Sequence, residues 1–163
     1  MKTIGLIGGM SWESSAEYYR IINEAVKEKK GGYHSAKCIL YSVDFADVER
    51  VQRQDCWDDV ALLMKDAAQK FEKAGADLVI ICANTMHKLF DKIQKSVRIP
   101  FLHIADVTAQ KIKDRGLKRV GLLGTKYTME EDFYKERLTK LHGLEVVIPE
   151  AQDRLTIHDI LFR

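Results

Sequence analysis

One cysteine stands where an aliphatic run turns polar, and it is the side chain in this sequence best placed to do chemistry. The segment DLVIICANTMHK (residues 77–88) changes character at Cys82, and Asn84, Thr85 and His87 follow at once. A thiol at the start of a helix can act as a nucleophile or an acid/base group, because the positive end of the helix dipole lowers its pKa. Asn84 and Thr85 can hydrogen-bond a carboxylate there, although both are also ordinary helix N-cap residues. A cysteine that ends an aliphatic run is commonly a small buried side chain, and here its polar neighbours favour a functional thiol.

The other candidate partners of this thiol are weaker. His87 lies beyond the expected helix start and need not face the same cleft as Cys82. A nucleophilic Cys–His pair requires the imidazole within hydrogen-bond reach of the sulfur. We therefore predict a packing or surface role for His87. Cys38 lies in a strand-like run and Cys56 just before a helix, and we predict that both pack or take no part in chemistry.

A glycine-rich turn near the N-terminus is the second candidate site. Residues 5–14 read GLIGGMSWES, with glycines at Gly5, Gly8 and Gly9 and no following GKS or GKT. This spacing fits neither the dinucleotide-binding fingerprint nor the Walker phosphate loop. Two interpretations stay open: a plain tight turn, and a turn whose backbone N–H groups bind a carboxylate or another small anion at a helix N-terminus.

A later segment echoes this turn. TIGLIGG (residues 3–9) is similar to RVGLLGT (residues 119–125), with two apolar residues between glycines and a helix-like segment after each. Duplication of an α/β half and chance recurrence both explain the pattern. If the halves are duplicated, Thr125 and Tyr127 match the first glycine-rich turn and line the same cleft. Each is otherwise an ordinary turn residue.

The elements that must position these residues alternate along the chain. Short apolar runs alternate with longer amphipathic ones, and this predicts an α/β fold with a doubly wound parallel sheet. The predicted strands are Thr3–Ile7, Lys37–Val43, Asp77–Cys82, Phe101–His103, Arg119–Leu123 and Glu145–Ile148. The predicted helices lie near Ser14–Glu28, Trp57–Ala74, Thr85–Lys95, Ala105–Asp114, Met129–Leu141 and Ala151–Phe162. Ser14 and Glu17 form a capping-box pattern, which predicts Ser14 as the N-cap of the first helix.

The order of these elements predicts two parts of unequal completeness. Residues 1–103 are expected to form one complete α/β half that carries Cys82. Residues 104–163 are expected to form the start of a second, similar half. At the offset between the two glycine segments, the counterpart of Cys82 would lie beyond Arg163, so the second half is expected to be incomplete.

Composition and charge exclude several classes of function. Apolar residues make up 46% of the chain and charged residues 31%, as in ordinary globular proteins. Lys plus Arg number 26 against 24 for Asp plus Glu, a balance that predicts neither nucleic-acid nor membrane binding. No apolar stretch reaches the roughly 18 residues of a membrane span, and no signal peptide is recognisable. The three cysteines form no CxxC pair, which disfavours disulfides and a zinc site and predicts a cytoplasmic protein.

Four segments of the sequence resemble a known family. GLIGGMSWESSAEYYRIIN, CANTMHK, PFLHIADVT and VGLLGTKYTMEEDFY are similar to segments of the aspartate/glutamate racemases, above all the bacterial amino-acid racemases that work without pyridoxal phosphate. The resemblance runs along the whole chain. It implies two similar α/β halves with the active site between them, no cofactor, a homodimer, and a small amino acid or dicarboxylate as substrate.

The resemblance also implies roles for individual residues. Members of the family use two cysteines, one from each half, and Cys82 matches the first. The remaining matched positions contact the substrate carboxylate, contact other parts of the substrate or line the cleft: Asn84, Thr85, Gln52, Met10 and Thr125. Racemisation needs two acid/base groups because a proton must leave one face of Cα and return on the other. Arg53 is either a contact for an acidic substrate side chain or a surface residue.

The sequence departs from the family pattern at its second catalytic group. The second cysteine of the family lies in a later GCTE-type motif, and this sequence contains no such motif. We therefore expect a truncated form that holds half of a two-base site and does not racemise amino acids efficiently. Two alternatives stay open: an isomerase or decarboxylase of the same superfamily that uses one cysteine, and a non-catalytic fragment that binds a carboxylate.

Overall fold

The chain folds into two compact units. The computed structural model describes residues 1–162. The first unit covers Met1–Leu102 and the second begins at His103. We describe each unit by itself. That the second unit is the beginning of a half similar to the first stays a prediction.

The first unit is built on a four-stranded parallel sheet. Its strands are β1 (Thr3–Gly8), β2 (Lys37–Ser42), β3 (Leu78–Ile81) and β4 (Phe101–Leu102). They lie in the order β2-β1-β3-β4, and every neighbouring pair is parallel. Its helices are α1 (Trp12–Lys30), α2 (Phe45–Arg53), α3 (Trp57–Lys73) and α4 (Phe90–Gln94), with a 3-10 turn over Thr85–Leu89.

Helices cover both faces of β1, which lies between β2 and β3 in the sheet. A Cβ on Gly5 would lie 2.5 Å from the Phe71 ring of α3, and a Cβ on Gly8 would lie 2.4 Å from Ser15 Oγ of α1. Gly5 and Gly8 are three residues apart, so their Cβ positions point to opposite faces of the sheet. The small residues let α3 and α1 approach the strand from either side. The predicted α/β fold with a parallel sheet flanked by helices is confirmed.

The second unit contains a short parallel pair of strands. They are β5 (Arg119–Gly121) and β6 (Glu145–Val147), with Gly121 beside Val147. Around them lie α5 (Ile104–Asp114), α6 (Lys126–Glu130), α7 (Asp132–Glu136), a π-helical turn over Arg137–Leu141, and α8 (Ala151–Leu161). Its buried core joins α5 to the segment before β6 and consists of Ala105, Ala109, Tyr134, Leu138 and Leu144.

The structure corrects four details of the predicted elements. The single helix expected over Thr85–Lys95 is instead a 3-10 turn followed by the short helix α4. Helix α1 begins earlier than expected, because Ser11 rather than Ser14 caps it by accepting a hydrogen bond from the Ser14 backbone N–H. Helix α2 was not predicted at all. The single helix expected over Met129–Leu141 is divided, because Glu131 has an extended backbone that separates α6 from α7.

Candidate active site

Cys82 lies at the topological switch point of the first sheet. The chain passes from β1 to β2 on one side and later to β3 on the other, so the connections that leave β1 and β3 diverge. Open α/β sheets bind ligands in this crevice, outside the carboxyl ends of the strands. Ile7 of β1 pairs with Ile81 of β3, and the Cys82 N–H donates to the Ile7 carbonyl at 2.9 Å. Cys82 and the glycine-rich turn therefore leave the sheet side by side.

The glycine-rich turn packs closely against the end of β2. Gly9 has a φ of 93°, in the region that favours glycine, and a Cβ there would lie 2.2 Å from the Val43 carbonyl oxygen. The Val43 N–H donates to the Gly8 carbonyl at 3.1 Å. Glycine is required at position 9 because both the backbone conformation and the space exclude a side chain.

Two serines join this turn to the start of α1. The buried Ser15 hydroxyl accepts a hydrogen bond from the Gly9 N–H at 2.9 Å and donates to the Ser11 carbonyl at 3.0 Å. Ser11 in turn caps α1 through its hydroxyl. The conformation of the turn is therefore fixed mainly by the buried Ser15 side chain of α1, which bonds to backbone groups on both sides of Met10.

A third serine joins the turn to Cys82. The Ser14 hydroxyl donates to the Cys82 carbonyl at 2.5 Å, across 68 residues of sequence. The bond connects the first turn of α1 with the end of β3 at the crevice. Sequence analysis missed this role, because the capping-box pattern assigned the Ser14 hydroxyl to its own helix.

The segment after Cys82 forms the tight 3-10 turn. Asn84 is exposed, whereas Thr85 is 8% exposed. The His87 ring is buried, stacks on Phe90, and has Nδ1 at 3.0 Å from the Ala83 carbonyl oxygen. Because a carbonyl oxygen only accepts hydrogen bonds, Nδ1 carries the proton. Of the two predicted roles for His87, packing is the one it has.

The thiol of Cys82 is strongly shielded from water. Its residue is 1% exposed, and burial raises the pKa of the Cys82 thiol to about 12. The predicted lowering of this pKa by a helix dipole is wrong. The element that follows is a short 3-10 turn rather than a long α-helix, so its dipole is small compared with the cost of burying a thiolate. Cys82 is therefore a protonated thiol at neutral pH.

The other predicted site residues lie in three places. Met10 is buried directly after Gly9, at the same edge of the sheet as Cys82, Asn84 and Thr85. Gln52 is buried in α2, the helix that follows β2 in the chain and has Asp44 as its N-cap residue. Thr125 belongs to the second unit, where its hydroxyl caps α6 by accepting from the Thr128 N–H.

The remaining candidates are separate from this edge or exposed. The Arg53 side chain is 80% exposed and pairs with Glu49, one turn earlier in α2. Cys38 pairs with Ile4 near the start of β1, so it lies toward the opposite end of the strands from the carboxyl edge. The exposed Cys56 thiol lies 3.5 Å from the Gln54 carbonyl oxygen.

Residues 1–162 contain neither a candidate metal site nor a candidate membrane span. No group of three or more His, Cys, Asp or Glu side chains in this part of the chain is arranged to hold a metal ion. Within the same residues, no helix combines the length and the apolar character needed to cross a membrane.

Comparison with known proteins gives a consistent result. A family model described as Asp/Glu/Hydantoin racemase matches residues 7–161. The broad specificity amino-acid racemase RacX of Bacillus subtilis (strain 168) is 33% identical over 150 residues, which cover 88% of this chain and 63% of RacX. The chain thus spans less than two thirds of the length of that relative.

Two solved structures are similar in both sequence and fold. A candidate Asp/Glu racemase from Yersinia pestis is 51% identical, with a TM-score of 0.93 over 99% of this chain and 70% of that chain. An aspartate racemase homologue from Pyrococcus horikoshii OT3 is 39% identical, with a TM-score of 0.85 over 100% of this chain and 71% of that chain.

Proposed function

This chain belongs to the Asp/Glu/hydantoin racemase family, and from that premise we propose that it acts in the cofactor-independent racemisation of an amino acid. In the proposed reaction, Cys82 exchanges a proton with one face of the substrate Cα. The observation that carries the proposal is the position of Cys82, directly after β3 at the switch point of the sheet. The glycine-rich turn lies on one side of it and Asn84 and Thr85 follow it in sequence.

The proposed chemistry is a pair of proton transfers. A thiolate takes the Cα proton and becomes a thiol, and the electron pair of the broken C–H bond passes into the substrate carboxylate as an enediolate. A second group on the opposite face then donates its proton to Cα, and the configuration inverts. Because the roles reverse for the other enantiomer, Cys82 serves as the base in one direction and as the acid in the other.

The protonation state of Cys82 fits the acid role directly. Burial raises the pKa of its thiol to about 12, so the unliganded protein holds the proton that this role must deliver. For the base role, the α-ammonium group of a bound amino acid would favour the thiolate, because an adjacent opposite charge lowers the pKa of an acid. We propose that substrate binding supplies this charge.

The substrate carboxylate is proposed to lie beside Asn84 and Thr85. Their amide and hydroxyl groups can donate hydrogen bonds to carboxylate oxygens, and these bonds strengthen as negative charge develops in the enediolate. Met10, Gln52 and Thr125 are proposed as further contacts with the substrate or the walls of its cleft. Each of these roles is inferred from the resemblance between the motif around the residue and the corresponding motif of the family.

The second acid/base group is proposed to be another cysteine, as in a two-base racemase. The cysteines of the sequence are Cys38, Cys56 and Cys82, and none of the residues after Cys82 is a cysteine. Cys38 lies at the far end of its strand and Cys56 is exposed, so neither matches the position of Cys82 at the end of a strand beside the switch point. We therefore expect this chain to exchange the Cα proton faster than it inverts the carbon.

The proposed substrates are aspartate and glutamate or a broader set of amino acids. The name of the Bacillus relative, which specifies broad specificity, supports the wider set. Arg53 gives no support for a cationic pocket, because its side chain is exposed and paired with Glu49.

We also propose a cytoplasmic homodimer, for which light scattering would give twice the chain mass of 18.7 kDa. A single chain mass would contradict the dimer.

The function is tested by following Cα directly in deuterated water. The purified chain is incubated with L-aspartate, L-glutamate and a set of neutral L-amino acids, and proton NMR measures loss of the Cα–H signal while chiral chromatography measures inversion. Deuterium at Cα with slower inversion is the expected result. Loss of the carboxylate would instead identify a decarboxylase, and binding without exchange would identify a carboxylate-binding protein. Either result contradicts the proposal.

A further inference from the structure

The carbonyl groups of three consecutive residues, beginning at the candidate thiol, accept hydrogen bonds. The Cys82 carbonyl accepts from the Ser14 hydroxyl at 2.5 Å, and the Ala83 carbonyl accepts from His87 Nδ1 at 3.0 Å. The carbonyl of the next residue, Asn84, accepts from the His87 backbone N–H at 3.0 Å. Three consecutive peptide groups are therefore fixed, and side chains fix two of them.

The two side chains reach the turn from different directions in the sequence. Ser14 lies in the first turn of α1, 68 residues before Cys82, and is linked to the glycine-rich turn because its N–H donates to the Ser11 hydroxyl. His87 lies four residues after Ala83, is 2% exposed, and stacks on Phe90. One contact is long-range and the other local, so hydrogen bonds hold the turn both to α1 and to itself.

These bonds determine how the peptide groups face. A trans peptide is planar, with its C=O and N–H pointing in opposite directions. Since the Cys82 and Ala83 carbonyls point to Ser14 and His87, the N–H groups of Ala83 and Asn84 point away from those side chains. The negative ends of both peptide dipoles are thus turned onto donors inside the protein. A carboxylate beside Cys82 would otherwise be repelled by these oxygens.

We infer that Ser14 and His87 are positioning residues for Cys82, which act by holding the Cys82–Thr85 turn in the conformation that proton transfer and carboxylate binding require. The inference rests on the proposed function for its catalytic part. Proton transfer needs the donor atom within hydrogen-bond reach of Cα, and small displacements of the reacting atom lower the rate steeply. Neither residue needs to contact the substrate for this role.

Thiol alkylation tests the inference without relying on catalysis. Iodoacetamide labelling of native protein, followed by peptide mass spectrometry, gives separate rates for Cys82 and Cys38. Loss of one hydrogen bond favours local opening, so Ser14→Ala is expected to increase the Cys82 rate about five- to tenfold. His87→Ala is expected to do the same. The Cys38 rate serves as an internal reference, because global unfolding would raise both rates together.

Conservative and matched variants separate positioning from general destabilisation. Ser14→Thr keeps the hydroxyl, and His87→Asn places an amide donor near the position of Nδ1, so both should restore slow labelling of Cys82. Ser96→Ala is the matched control: the Ser96 hydroxyl donates to the Ile93 carbonyl at 2.6 Å, after the end of α4. It removes a bond of the same kind from another part of the first unit and should leave Cys82 labelling unchanged. If His87→Ala fails to fold, the Ser14 pair alone decides the question.

Deuterium exchange at Cα of L-aspartate supplies the second readout. Ser14→Ala is expected to lower the maximal exchange rate about tenfold with little change in KM, and Ser14→Thr to recover it. Cys82 labelling rates that are equal in Ser14→Ala, Ser96→Ala and wild type would overturn the inference. Absence of exchange in the wild type, combined with faster Cys82 labelling in Ser14→Ala, would refute the proposed function and leave the positioning role supported.

Discussion

At the scale of single residues, Cys82 combines a position suited to catalysis with an environment that holds its proton. The thiol follows a strand at the switch point, yet it is 1% exposed and burial raises its pKa to about 12. A reactive cysteine of the thiolate type would instead lie in a positive, partly exposed environment. The unliganded protein is therefore described better as carrying a proton donor than a resting nucleophile.

This state of Cys82 predicts the pH dependence of alkylation. Only the thiolate reacts with iodoacetamide, and local opening exposes a thiol with an ordinary pKa of about 8.5, so the Cys82 rate should rise about tenfold for each pH unit from about pH 6 to about pH 8. Peptide mass spectrometry at short labelling times measures the rate. A plateau below about pH 7 would show a lowered pKa and contradict the buried thiol.

Gly9 is the residue whose replacement should disturb the site most directly. A methyl group at Gly9 meets both a positive φ and the Val43 carbonyl oxygen at 2.2 Å, whereas Gly75, with a φ of 78°, has open space around its Cβ position. We expect Gly9→Ala to lower the free energy of unfolding by about 3 kcal/mol or more, and Gly75→Ala by about 1 kcal/mol. Urea denaturation compares them. Equal losses would mean that the contact with Val43 is unimportant.

The sequence predicted individual site residues unevenly, for physical reasons. Cys82 was found because an abrupt change from aliphatic to polar residues marks the end of a buried strand. The role of Ser14 was missed because its bond to Cys82 spans 68 residues and depends on how α1 packs against the sheet. The raised pKa was missed because burial, unlike a helix N-terminus, leaves no local signal in the sequence.

At the scale of secondary-structure elements, the hydrogen bonds and ion pairs of one carboxylate connect neighbouring elements of the second unit. Asp106 of α5 accepts hydrogen bonds from Arg137 Nε and a second guanidinium nitrogen, each at 2.7 Å, and lies 2.8 Å from His142 Nε2. These contacts join α5 to the π-helical turn and to the residue after it. The hydrogen bond from Arg137 is the main cause that lowers the pKa of the Asp106 carboxyl to about 2.

The Asp106 contact predicts acid sensitivity of stability. A carboxyl group with a lowered folded-state pKa stabilises the protein above its unfolded pKa, near 3.8, and this contribution is lost as the pH falls from about 4 to about 2. With a third of the side chain exposed, about 1 kcal/mol is a realistic size after solvent screening. The free energy of unfolding should therefore drop less between pH 5 and pH 2.5 in Asp106→Asn than in wild type.

A surface pair provides the control for that prediction. Asp132 lies 3.4 Å from Lys135, and its side chain is 68% exposed. Asp132→Asn should leave the acid dependence of stability at its wild-type value, because exposed pairs contribute little. If the free energy of unfolding falls by the same amount between pH 5 and pH 2.5 in Asp106→Asn, Asp132→Asn and wild type, the Asp106 cluster does not stabilise the second unit.

Most of the elements could be predicted from apolar patterning alone. All six strands occur where short apolar runs predicted them, and in β1, whose last four residues are buried, the run lacks a polar side because helices cover both faces. Helix α2 was missed although Asp44 gave a capping signal, since its nine residues are rich in charge and follow β2 closely. The division of the Met129–Leu141 helix at Glu131 depends on backbone conformation that composition does not encode.

At the scale of the whole molecule, fold and family membership support each other. The parallel sheet was predicted from the alternation of elements, and the family from four motifs. The match over residues 7–161 and the two similar solved structures agree with both. The residue roles carried over from the family remain proposals, and so do the second acid/base group and the substrate. They depend on contacts with a bound amino acid.

The most direct test of the account is the role of Cys82 in proton exchange at Cα. Wild type, Cys82→Ser and Cys56→Ser are compared for deuterium incorporation into L-aspartate and L-glutamate by proton NMR. Serine is a far weaker acid than cysteine, so Cys82→Ser should slow exchange by about 100-fold or more, while Cys56→Ser should match wild type. Exchange at the wild-type rate in Cys82→Ser would contradict the central claim.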